Sequence, residues 1–210
     1  MEFNMNARKI IAGLLLLLAT LVVSAQNNAE AIVRLMVNQM KSHKNVEMSY
    51  KYQVVADGKT TDPQQGKAWL QGEAYKVEMA EQQTISDGKT IWTYLVDDEE
   101  VMISNAADGV DNTPLKLLTS LDENYAATLT GIDEKGNATI ELANPQGQYR
   151  RVTLKANANK MEIKSLDIFI EDGTKLVITV DDMKFDQELG EKFFTFDRKK
   201  HPRVDIIDLR

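Results

Sequence analysis

The chain contains no cysteine, which excludes disulfides, a thiolate nucleophile, sulfur ligation of a metal and lipid attachment at an amino-terminal cysteine. Only two histidines occur in 210 residues, His43 at a helix end and His201 in the tail, and neither has a neighbour at metal-ligand spacing. A zinc centre or a serine–histidine triad therefore has too little to work with, and no catalytic residue or cofactor is expected. Basic residues are in the minority, 25 against 32 acidic, and the formal charge of −7 disfavours nucleic acid and prolonged residence on anionic membranes. There is no phosphate-binding loop, no nucleotide fingerprint, no internal repeat and no low-complexity tract outside the amino terminus. The acidic run Asp97-Asp98-Glu99-Glu100 lacks the glycine and alternating ligands of a calcium loop and reads as a solvated turn.

What is present begins with an export signal. Arg8 and Lys9 precede an apolar run from Ile10 to Val23, and Val23 and Ala25 occupy the positions a signal peptidase reads, so cleavage is expected after Ala25. The run of about 14 residues is short of the roughly 20 needed to span a bilayer, which sets aside an uncleaved anchor. The leader carries Arg8, Lys9 and Glu2, a net +1, so its removal takes the chain from −7 to about −8. Residues 1–25 are thus the signal peptide and residues 26–210 a single exported domain, expected as a monomer held together by its core.

The mature chain changes period once. Over 28–44, Ile32, Leu35, Met36 and Met40 recur at helical spacing opposite Arg34, Asn38 and Lys41, predicting an amphipathic helix that needs a surface to cover. From Val46 the period drops to two, with Val46, Met48, Tyr50, Tyr52 and Val54 alternating against polar residues in a long strand. Further strands are expected at 66–71, 74–79, 82–86, 90–96, 100–104, 126–132, 137–143, 148–155, 160–170, 174–185 and 192–196, with a terminal edge strand in 204–209. Asp57-Gly58, Asp87-Gly88, Glu134-Lys135-Gly136, Pro145-Gln146-Gly147 and Asp172-Gly173 fall between them as turns, which makes the meander mostly antiparallel. One helix interrupts it: Thr113 caps, Pro114 suits the first position, and Leu115, Leu118 and Leu121 form the apolar stripe. Placed between the strands at 100–104 and 126–132, that helix is expected to join the first as a lid across a curved sheet. The fold class is α+β, mainly β.

Gly66-Lys67-Ala68-Trp69, the hairpin from Ser86-Asp87-Gly88-Lys89-Thr90 into Trp92 and Tyr94, Asn112-Thr113-Pro114, and Phe193-Phe194-Thr195-Phe196 together resemble segments of the LolA family of outer-membrane lipoprotein carriers. The resemblance covers nearly the whole mature length and implies an unclosed antiparallel β-barrel capped by helices. It also implies a periplasmic chaperone that holds the acyl chains of lipoproteins, receives them from an inner-membrane ABC-type release complex and passes them to an outer-membrane acceptor. The chain departs from the family at Gly72, where members carry a basic residue thought to latch the lid, and at Tyr75-Lys76-Val77, which keeps one aromatic and loses a tryptophan. The expected cavity wall is Tyr50, Tyr52, Tyr75, Val77, Trp92, Tyr94, Leu115, Leu118, Leu121, Ile168 and Ile170, with methionines and the lid competing with cargo to permit release. The alternative of the same fold is a periplasmic sensor of lipid or lipoprotein that regulates a membrane partner; such sensors usually carry a further domain.

Overall fold

The computed structural model describes residues 28–108, 114–147, 149–170 and 173–210. The expected signal peptide, Thr113 of the helix start and Asp172 of one turn lie outside these, as do the side chains of Pro114 and Leu115. Among the described residues thirteen strands form one sheet: β1 Val46–Ala56, β2 Lys59–Thr60, β3 Gln64–Gln71, β4 Ala74–Glu78, β5 Gln82–Ser86, β6 Thr90–Leu95, β7 Glu100–Asn105, β8 Ala126–Ile132, β9 Asn137–Ala143, β10 Arg151–Asn157, β11 Glu162–Phe169, β12 Lys175–Phe185 and β13 Asp205–Asp208. Helix α1 spans 28–42 and α2 spans Pro114–Asn124.

Strand order is β13-β7-β6-β5-β4-β3-β1-β12-β11-β10-β9-β8, with β2 hydrogen-bonded to β1. The long β1 therefore lies in the middle and pairs on its two sides with β3 and β12. Among the described residues β8 and β13 do not pair, so the sheet curves without closing into a barrel. Its curvature has local causes: the register shifts at Ser49/Tyr50 between β1 and β12, at Leu129/Gly131 between β8 and β9, and at Lys155/Ala156 between β10 and β11. At the β1–β2 turn Asp57 and Gly58 both take positive φ, 50° and 71°, the geometry that matches a tight hairpin to strand twist.

The concave face carries the core. Tyr75, Ile140, Leu142, Val152, Leu154, Leu166 and Ile168 alternate inward along their strands, and both helices lie against them. The stripe of α1 that does so is Ala29, Val33, Met36, Val37 and Met40, which recur every three or four residues; Leu35 falls outside that arc and is 52% exposed, correcting its expected place.

The remaining corrections concern strands. Residues 192–196 form turns, because Phe193 and Phe196 pack their rings onto the convex face instead of joining a ladder. The strand expected at 148–155 starts at Arg151 and runs to Asn157, which leaves Tyr149 in a loop, and the strand expected at 160–170 starts after a turn in which Met161 takes φ 54°. The terminal edge strand is present, but it pairs with β7 in parallel.

Candidate functional site

Between the concave face and α2 lies an apolar cavity of about 350 Å³. One wall comes from Met48, Tyr50, Tyr52 and Val54 of β1 with Ala68 of β3; Val77, Met79, Gln82 and Thr84 continue it along β4 and β5. Leu166, Leu176 and Ile178 from β11 and β12 face it, Leu118 of α2 closes the top, and Tyr149 borders it from the loop before β10. Period-two strand geometry delivers every one of the β1 residues to the same side, and Val77 pairs with both Ala68 and Thr84 across neighbouring strands.

Two close fits shape the wall. Gly66 sits opposite Tyr50, and a Cβ at Gly66 would lie 2.5 Å from Tyr50 Cζ, so only glycine leaves room for the ring to lie flat across the strand. Tyr149 is placed from outside the sheet: the Tyr125 hydroxyl donates to the Tyr149 carbonyl at 2.8 Å and ties down the loop. Burial, then the neighbouring Tyr52 and Glu78, raises the Tyr50 hydroxyl pKa well above its ordinary value, and burial raises those of Tyr149 and Tyr125. The lining carries no carboxylate, ammonium, guanidinium or imidazole side chain.

The helices are held together above the core by Lys41 of α1, whose ammonium lies 3.8 Å from Asp122 Oδ1 and 3.4 Å from Glu123 Oε1 of α2. Asp122 Oδ1 is buried and accepts no hydrogen bond, so this cation is its only compensation among the described residues. Gly72 occupies the β3–β4 turn with φ 58° and has open space around it.

Of the residues expected at the wall, Tyr50, Tyr52, Val77 and Leu118 line the cavity. Tyr75, Leu121 and Ile168 are buried in the surrounding core, and Ile170 lies just after β11 at 41% exposure. Trp92 and Tyr94 are on the other side of the sheet. Their cross-strand partners are Ile85 and Gln83, and they pack with Val101, Val204 and Phe196 in a separate small cluster. Met48, Val54, Met79, Tyr149, Leu166, Leu176 and Ile178 are wall residues that the sequence reading omitted; Met48 and Val54 belong to the same period-two series as Tyr50 and Tyr52. Among the described residues no three His, Asp or Glu side chains gather to hold a metal, and no helix is long and apolar enough to cross a membrane.

A curved, unclosed antiparallel sheet with helices laid over a largely apolar pocket defines the class: a mainly β protein whose sheet and helices surround an apolar cavity. The family model described as outer membrane lipoprotein carrier protein LolA matches residues 43–197, and the chain belongs to that family. Relatives named outer-membrane lipoprotein carrier protein include the following two. The one from Haemophilus influenzae is 26% identical over 159 residues, 73% of this chain and 77% of that protein. The one from Pasteurella multocida is 36% identical over 91 residues, 43% of this chain and 38% of that protein. A solved structure of an uncharacterized conserved protein from Thermus thermophilus shares the fold with TM-score 0.54 at 11% identity, over 83% of this chain and 98% of that one.

Proposed function

We propose that this protein is a periplasmic carrier that takes the acyl chains of lipoproteins into the cavity and moves them between the inner and outer membranes without catalysing a reaction. The observation that carries the reading is the ion-free, largely apolar slot of about 350 Å³ under α2, in a chain of the LolA family. A methylene occupies nearly the volume of a water molecule, about 30 Å³, so the slot takes about a dozen carbons, most of one acyl chain. At about 0.8 kcal/mol per buried methylene, that is on the order of 10 kcal/mol of transfer free energy, enough to extract one chain from water. Binding must also be reversible. Met48 and Met79 adapt their shape at low cost, and Leu118 enters the same space as the cargo, so lid and ligand compete.

The partners that follow are acylated lipoproteins as cargo, an inner-membrane ABC-type complex that releases them, and an outer-membrane acceptor. Replacing Leu118 by Glu places a charge in the slot while leaving the sheet intact. Loading of a fluorescent acyl probe is expected to fall at least about tenfold, with the far-ultraviolet circular dichroism spectrum unchanged. Undiminished loading would remove α2 and this cavity from the binding site.

A further inference from the structure

The convex face of the sheet carries a second concavity, and it is charged. Strand parity sends Tyr75 and Val77 of β4 inward, whereas Lys76 and Glu78 point outward with Gln83 and Ile85 of β5. The segment 190–201 arches over them and leaves a groove of about 860 Å³, larger than the cavity behind it. Ile85, Phe193 and Phe196 are its apolar residues, and Lys76, Lys192, Lys199 and Lys200 its cations, against the carboxylates of Glu78 and Asp197. No ion pair joins Lys192, Lys199 or Lys200 to a described residue, and all three are exposed. In a chain of net charge −7 this is a local reversal of sign.

The groove is preformed. Phe193 meets Trp69 edge to face at 5.3 Å between ring centroids, Phe196 stacks on His201 at 5.1 Å, and His201 lies 4.4 Å from Tyr94. Lys76 Nζ lies 5.2 Å from the Phe193 ring, and the Asp197 carboxylate accepts from the Lys199 backbone N–H. A groove already clipped in place loses little entropy when it is filled.

We infer that this groove docks an acidic peptide segment of a partner protein that also bears an aromatic or aliphatic side chain. Charge complementarity sets the sign: Lys76 is already paired with Glu78 at 2.7 Å, but the exposed amines of Lys192, Lys199 and Lys200 are left to select carboxylates and to repel cationic segments. Shape sets the class. A planar bilayer cannot reach a floor sunk beneath 190–201, whereas an extended chain can lay one apolar side chain beside Ile85, Phe193 and Phe196 with its carboxylates at the rim.

The test uses the exported, uniformly nitrogen-15-labelled protein and three probes: a fluorescein-labelled octapeptide of alternating Glu and Phe, its Lys and Phe counterpart, and vesicles of phosphatidylglycerol. The Glu-containing peptide is expected to bind saturably and to shift amide resonances of Ile85 and of 192–201. Raising salt to about 0.5 M is expected to weaken it by about tenfold, as screening requires. The triple variant K192E/K199E/K200E should bind it at least about tenfold more weakly while loading the acyl probe as the parent does, which separates this groove from the cavity. Equal binding of the two peptides, undiminished binding by the triple variant, or capture by the vesicles alone would overturn the inference.

Discussion

At the scale of single residues, the cavity depends on a place where side chain is absent. Gly66 gives the Tyr50 ring its position, and a Cβ there would stand 2.5 Å from the ring, so Gly66→Ala must tilt Tyr50 into the slot or push β3 from β1. A loss of about 1–3 kcal/mol of stability in urea unfolding is expected, together with weaker acyl-probe loading. Normal stability and loading would show that the ring moves without consequence. Asp186 acts elsewhere, pairing with His43 Nδ1 at 2.8 Å and accepting from the Lys44 backbone N–H at 2.7 Å. The His43 hydrogen bond first, and then the backbone one, holds its carboxyl below the ordinary value of 3.8. A depressed folded pKa supplies stability that is present above the unfolded value and disappears as pH falls through the folded one. Asp186→Asn is therefore expected to make the loss of stability below about pH 4 shallower than in the parent, measured by urea unfolding at a series of pH values. A parallel acid limb would show that Asp186 contributes nothing to it.

The elements show where sequence periodicity suffices and where it stops. From Val46 to Val54 one face is apolar and the other polar, so both the strand and its inward residues were legible. On β6 the two faces are each apolar enough to pass for the inner one, Ile91 with Thr93 and Trp92 with Tyr94, and the larger rings were the wrong guide to the cavity side. Size does not identify the inside of a sheet that is packed on both faces. Phe193-Phe194-Thr195-Phe196 has strand composition but finds its partners in side chains, Trp69 and Tyr94, which no local pattern announces. Tyr149 was out of reach for the same reason, since its place is fixed by a hydroxyl 24 residues away. The two helices are joined by Lys41, 42% exposed at its side chain, so Lys41→Ala should cost about 0.2–1 kcal/mol overall. It should also speed hydrogen exchange in α2, because Asp122 Oδ1 then has no counter-charge. Unchanged exchange would leave the lid held by packing alone. The parallel strand β13 covers β7, and Val204, just before it, packs beside Val101 and Tyr94. Val204→Ala should therefore cost about 1–3 kcal/mol, read in the same unfolding experiment.

For the whole molecule, one sheet serves two surfaces. The same strands β4 and β5 form the wall of the apolar cavity with one set of side chains and the floor of the basic groove with the alternate set. The fold class and the helical cover were legible because a meander of alternating strands with two amphipathic helices has few ways to bury its apolar faces. The cavity was legible only in part, since a void is defined by what fails to meet across it, here β1 and β12 against Leu118. The account rests on that void holding acyl chain, and one measurement addresses it directly. Residues 1–210 are expressed in a bacterium with two membranes, carrying a photoreactive residue at position 118, irradiated, and purified without detergent for mass spectrometry. Triacylated or diacylated lipoprotein crosslinked at close to one per protein is the expected result. Protein that emerges without any acylated adduct would contradict the carrier account and leave the cavity as an unfilled defect of the core.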